Sequence, residues 1–259
     1  MAPAHQTSEK VSLYWQPGCT SCLRTKEFLT AQAIDFESVN VAADAAGWDA
    51  LAKLGVRTVP VVARGSEFVF GQVLGEVANF LGLDPIGGPE LASDALVQRL
   101  GLVLGAAARL TRQVPDARRD EQWPGRARSI RELAHHIFRI PEVFLDAVQN
   151  GVLLDDEALN ALPPRDLVSM ADVAAFGDAV ASNVDKWWQG ETDESGNRTL
   201  ETYFGPQSLH VVLERTTWHS AQHTRQLAVM LESFDIVPDR PLDTMDLAGL
   251  PLPASVWDG

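Results

Sequence analysis

The feature that most constrains this chain is a break in its patterning at residues 83–89. Leu83-Asp84-Pro85-Ile86-Gly87-Gly88-Pro89 places two prolines and two glycines in seven residues, and neither a helical nor a strand period survives it. Short apolar runs alternate with helix-like runs before the break. Every long segment after it has helical spacing. A chain of 259 residues is long enough for two ordinary domains. The expected layout is α/β plus all-α: an α/β domain over residues 10–83, a linker over 84–90, a helical domain over 91–236 and an extended tail over 237–259.

The first segment reads β-α-β-α-β-β-α. Val11 to Trp15 is a short apolar strand stopped by Gln16-Pro17-Gly18. Cys22 to Ala33 has apolar residues at helical spacing, Phe36 to Val41 is a second strand, and Ala45 to Leu54 is an alanine-rich helix with Gly55 at its C-terminal cap. Val59 to Ala63 and Glu67 to Phe70 form a hairpin closed at Arg64-Gly65-Ser66, and Gly75 to Leu81 is a last helix. This order makes a layer of helices on a small mixed sheet.

The second segment carries four helical runs. These are Leu91 to Val114, Ser129 to Asn150 with Gly151 as its stop, Asp166 to Gln189, and Pro206 to Phe234 with its proline near the first turn. Pro141 is expected to kink or split the second. Four such helices suggest a four-helix bundle, with Trp187 and Trp188 in its packing. The formal net charge of -14 argues against nucleic acid and against anionic membrane surfaces, both of which select clustered Lys and Arg. There is no apolar run long enough to span a bilayer. The first ten residues lack the apolar stretch of a signal peptide and read as a frayed start holding His5. The two cysteines form one CxxC, which fits a reducing cytoplasm better than a secreted disulfide scaffold.

Cys19-Thr20-Ser21-Cys22 follows a strand and opens a helix. The positive end of a helix dipole and its unpaired N–H groups favour thiolate. Cys19 is then the exposed nucleophile and Cys22 the resolving thiol. Half of a zinc site is the competing reading, but no second Cys pair exists and no His lies nearby. Thr58-Val59-Pro60 ahead of the hairpin completes a pattern that resembles the glutaredoxin branch of the thioredoxin-like fold, over roughly residues 10 to 83. The resemblance implies that Pro60 is cis and faces the active thiol, and that the backbone of Val59 pairs with a thiol substrate. It also implies that Gly71 and Gly75 lie near a glutathione carboxylate. The dipeptide Thr20-Ser21 departs from the family's usual Pro-Tyr, which bears on redox potential and glutathione preference.

Five histidines fall in the helical half: His135, His136, His210, His219 and His223. His219 and His223 stand at i and i+4, one turn apart on one helix face, a spacing that suits two positions on one metal. HxxxH alone fits a polar surface or a partnered core histidine as well. His136 lies on the inward stripe with Ile130 and Leu133, and a metal shared with the other two satisfies three buried imidazoles at once. Trp123, Arg131-Glu132-Leu133 with His136, and His219…His223 with Arg225-Gln226-Leu227 together resemble the DinB-like superfamily over about residues 90 to 235. That resemblance implies a metal triad of His136, His219 and His223, with His135 a one-residue ambiguity. His210 is expected at the surface or behind the ligands, and Glu214 and Arg225 either behind the ligands or on a solvated face.

Three neutral histidines leave positions open for water or thiolate, which is a catalytic rather than a structural arrangement. Zinc is the default, with nickel, iron and manganese open. The joined resemblances imply a metal- and thiol-dependent transferase, lyase or oxidoreductase. A glutathione-like thiol would be activated at the histidines for reaction with a small electrophile or thiol conjugate, with thiol exchange at the CxxC. The alternatives are a metal-dependent hydrolase of a stress response and a non-enzymatic redox or metal sensor. Family bundles often pair, so a homodimer is an expectation by resemblance.

Overall fold

The computed structural model describes residues 10–258; the expected frayed start and His5 lie outside the described residues. The chain divides into two compact units between Gly87 and Gly88.

The first unit runs β1 (Val11–Trp15), α1 (Thr20–Ala31), β2 (Phe36–Asn40), α2 (Ala45–Lys53), β3 (Val61–Arg64), β4 (Glu67–Phe70) and α3 (Leu74–Leu81). Its sheet has the order β2-β1-β3-β4, with β1 parallel to β2 and antiparallel to β3, and β3 antiparallel to β4. This mixed sheet with flanking helices is the thioredoxin-like arrangement. Successive side chains of a strand point to opposite faces. Val61 accordingly packs with Cys22, Val41 and Leu51, whereas Val62 packs with Leu13, Leu29 and Val77. Both faces of the sheet are covered, which is why β3 is continuously apolar in sequence rather than alternating. The hairpin closes at Arg64 opposite Glu67, with Gly65 at φ +62°, a conformation that costs glycine little. Helix α1 starts two residues before Cys22, because the Cys19 side chain caps it by accepting the backbone N–H of Cys22.

The second unit holds α4 (Ser93–Gln113), a 3-10 turn at 116–118, α5 (Ile130–Asn150), the short α6 (Asp156–Leu159), α7 (Met170–Gly190), the two-residue strands β5 (Thr199–Leu200) and β6 (Gln207–Ser208), and α8 (Leu209–Ser233). The four long helices pack as a bundle, α4 and α5 each against α7 and α8. None of the described helices is long and apolar enough to cross a membrane.

Capping decides where these helices begin. Ser129 and Asp172, with their partners Glu132 and Ser169, close reciprocal capping boxes on α5 and α7. α7 therefore begins at Met170 rather than Asp166. Ser208 caps Val211, so α8 begins at Leu209 and Pro206 lies ahead of β6 instead of in a first helical turn. Pro141 does not split α5, which runs unbroken around it. Proline removes the bond to the carbonyl four residues earlier, here Ile137. The Ser220 hydroxyl on α8 donates to that buried carbonyl at 3.1 Å, so the helix continues without an orphaned acceptor.

The stretch after α8 follows the bundle through its backbone carbonyls. Gln113 and Arg109 on α4 donate to Val237 O and Arg240 O. Arg225 on α8 donates to Pro253 O and Ala254 O. Trp257 stacks on Trp123 with ring centroids 5.1 Å apart.

Candidate thiol and metal sites

In the first unit Cys19 and Cys22 are joined as a disulfide. Cys19 is half-buried and Cys22 is buried. Residue i of a helix cap and residue i+3 face each other across one turn, so a thiol at the cap and one inside the first turn are always in reach. The Cys19 Sγ accepts from Cys22 N at 3.1 Å and lies 4.0 Å from Val59 O. The Val59–Pro60 peptide is cis. Gly71 backs this proline. Its N–H donates to Pro60 O at 2.9 Å, and Thr25 Oγ1 donates to its carbonyl at 2.9 Å. A Cβ at Gly71 would lie 2.7 Å from Thr25 Oγ1 and 2.8 Å from the Pro60 ring. The glycine is thus demanded by a close approach. Gly75 is not crowded in this way: a Cβ there would meet only Ile86 O, at 3.6 Å.

In the second unit α5 supplies His136, and α8 supplies His219 and His223. Each offers a ring nitrogen, and the three nitrogens lie within 4.8 Å of one another. Ring centroids are 4.8 Å apart for His136 and His223, and 4.9 Å for His219 and His223. All three are buried. Burial drives each pKa down. His223 falls to about 3, with the Arg128 guanidinium adding to burial and a hydrogen bond to Gln226 opposing it. His136 and His219 fall well below the ordinary imidazole value, with Arg128 the next cause for His136 and Arg215 for His219. The cluster is therefore neutral at pH 7, the form that can donate lone pairs.

Two tautomers follow from the surroundings. His136 Nδ1 lies 2.9 Å from Leu159 O; a carbonyl only accepts, so Nδ1 carries the proton and Nε2 the lone pair. Gln226 Nε2 donates to Val256 O at 3.0 Å, which turns Gln226 Oε1 toward His223 Nδ1 at 2.7 Å. That oxygen also only accepts, so His223 Nε2 is the bare nitrogen. His223 Nε2 and His219 Nδ1 are both buried without a hydrogen-bond partner. Buried polar atoms ordinarily have one. Two nitrogens sharing a zinc at about 2.0–2.1 Å lie no more than about 4.2 Å apart, so small ring rotations suffice to close the set. The donor set fits a divalent metal.

His135 points elsewhere. Its buried ring stacks on Phe176 at 5.3 Å, and burial with Arg139 and Arg131 lowers its pKa to about 4. His210 Nε2 lies 2.7 Å from Leu91 O, tying α8 to the start of the bundle. Arg225 donates to Gln222 Oε1 and to the C-terminal carbonyls. Sequence reasoning missed the carbonyl of Leu159, Gln226, Arg128 and Arg215. Gln226 alone had a visible signal, its i+3 spacing from His223.

Residues 11–69 match the glutaredoxin family model, and residues 99–227 match the model of the DinB superfamily. A hybrid peroxiredoxin of Haemophilus influenzae is 34% identical over 71 residues, which are 27% of this chain and 30% of that protein. The gene 56 protein of Mycobacterium phage L5 is 45% identical over 53 residues, 20% of this chain and 52% of that protein. The chain thus spans 30% of the length of the first of these relatives and 52% of the second. Among solved structures, a mutant thioredoxin-like protein is 30% identical with a TM-score of 0.27, over 28% of this chain and 99% of that one. A DinB-like protein of Bacillus subtilis is 12% identical with a TM-score of 0.45, over 57% of this chain and 95% of that one.

Proposed function

We propose, for a chain that joins a glutaredoxin-like domain to a DinB-like four-helix bundle, a metal- and thiol-dependent enzyme acting on a small electrophile or thiol conjugate in a reducing cytoplasm. The observation that carries this reading is the cluster of three buried, neutral imidazoles, two of them with an unpartnered nitrogen, in a chain that also bears a CxxC beside a cis-proline. His136, His219 and His223 would hold the metal, with zinc favoured by three nitrogen donors. A bound divalent ion supplies Lewis acidity and favours the thiolate of a low-molecular-weight thiol such as glutathione.

The protein's own residues do the rest. Leu159 O and Gln226 hold His136 and His223 in the tautomers that present Nε2. Burial keeps the imidazoles unprotonated, so no proton competes for those lone pairs. At the other site Cys19 attacks one sulfur of a disulfide R–S–S–R′ and expels R′S⁻. Cys22 then displaces RS⁻ and closes the Cys19–Cys22 disulfide, so two electrons pass from the protein to the substrate. The cap position of Cys19 favours its thiolate. The backbone of Val59, Pro60, Gly71 and Gly75 would form the surface on which the thiol lies.

Turnover of thiol-conjugated model electrophiles, with and without chelator, tests the reading. Chelator and His219→Ala should each abolish turnover, and Cys19→Ser should abolish disulfide exchange. Undiminished activity in both variants would refute a coupled role.

A further inference from the structure

Arg215 precedes His219 by one helical turn on α8, and its side chain is 4% exposed. A guanidinium stays charged in a protein, and buried charges are ordinarily paired. Arg215 has no acidic partner among the described residues. Its Nη2 donates to the Tyr203 hydroxyl at 2.9 Å. Its guanidinium lies 5.7 Å from the Tyr203 ring centroid and 5.3 Å from that of Phe204. Its Nε is buried with no hydrogen-bond partner. The charge also reaches the cluster, since Arg215 opposes protonation of His219.

Arg128 differs. Its guanidinium donates to Asn160 Oδ1, and the carboxylates of Glu132 and Asp156 favour its charged form, although burial outweighs them. One uncompensated positive charge is therefore left beside the histidines, together with one free buried donor and a hydroxyl. Guanidinium matches carboxylate in shape and charge.

We propose that Arg215 and the histidine cluster form one binding site for a small thiol that bears a carboxylate. The sulfur would go to the metal held by His136, His219 and His223, and the carboxylate to Arg215 with help from Tyr203. The proposal rests on the metal reading above and adds the charge of the ligand. Buried unpaired charge is costly to the folded chain, and an anionic ligand removes that cost each time it binds.

The test is a titration of the cobalt-loaded protein with 3-mercaptopropionate and with 2-mercaptoethanol, followed by the sulfur-to-cobalt absorption band. The carboxylated thiol should bind about tenfold tighter or better, and Arg215→Gln should remove that preference, bringing the two affinities together. Equal affinities in the wild-type protein, or a preference that survives Arg215→Gln, would overturn the proposal. If Arg215→Gln does not fold, Tyr203→Phe replaces it: weakening of the carboxylated probe alone supports the site, and equal effects on both overturn it. If the protein takes up no cobalt, the metal reading fails by itself. The anion site is then read from metal-free melting curves, where 3-mercaptopropionate should raise the transition and 2-mercaptoethanol should not; no difference would overturn it.

Discussion

Two carbonyl oxygens far from the histidines in sequence decide which nitrogens those histidines present. Leu159 O holds His136, and Val256 O holds His223 through Gln226. Groups behind metal-bound histidines are worth about 10–100-fold in metal affinity. Gln226→Leu should therefore weaken metal binding by that order in competition with a chromophoric chelator, without unfolding the bundle. The buried imidazoles also set a pH dependence. Above pH 6.5 they are neutral in both the folded and the unfolded chain and cost nothing. Below it the unfolded chain takes up protons that the fold refuses, down to about pH 4 for His135 and about pH 3 for His223. Stability of the metal-free protein should fall as pH drops through that window, by up to about 1.4 kcal/mol per pH unit for each histidine. Urea midpoints at pH 7.5, 6 and 5 measure it, and a flat profile would count against a neutral cluster. At the thiol site, Gly71→Ala should lower both stability and thiol exchange, because its methyl would enter the Thr25 and Pro60 contacts.

Helix α5 shows how an element tolerates a residue that local rules forbid. Pro141 strips Ile137 O of its helical donor, and Ser220, next to His219, restores one from α8. The bond joins the two helices that bear the three histidines. Ser220→Ala should leave a buried carbonyl without a partner and cost about 1–3 kcal/mol, and restoring the helical donor with Pro141→Ala in the same chain should recover most of that loss. Chemical denaturation of the single and double variants gives the coupling. The α5–α7 contact is equally particular. Gly177 lies under the Phe138 ring, 2.5 Å from where a Cβ would stand. α7 can approach α5 this closely only with glycine there.

At the scale of the whole molecule the chain carries two compact units, each with its own buried core and its own chemistry. Reductant would act on the Cys19–Cys22 link of the first, and chelator on a metal held by the histidines of the second. Calorimetry of the full chain should resolve two transitions. Chelator should lower only the one belonging to the helical unit, because a ligand stabilises the state that binds it. One transition moved equally by both agents would speak against independent units.

Local rules carried the sequence reading a long way. Period-two and period-3.6 patterns, the glycines and prolines at 83–89, the CxxC after a strand and the HxxxH on one helix face are all set by residues within a few positions of each other, and each is legible without coordinates. The mixed sheet, the bundle and the meeting of His136 with His219 and His223 rest on those patterns plus resemblance, whereas the strand order comes from the structure. What local spacing cannot hold is a partner that arrives from a distant segment. Ser220 rescuing Ile137, Gln226 joined to Val256, Leu159 O beneath His136, and Arg215 left without an anion all depend on how the helices and the C-terminal stretch pack. Buried polar atoms must find partners wherever packing puts them, and only the tertiary structure decides which atoms those are.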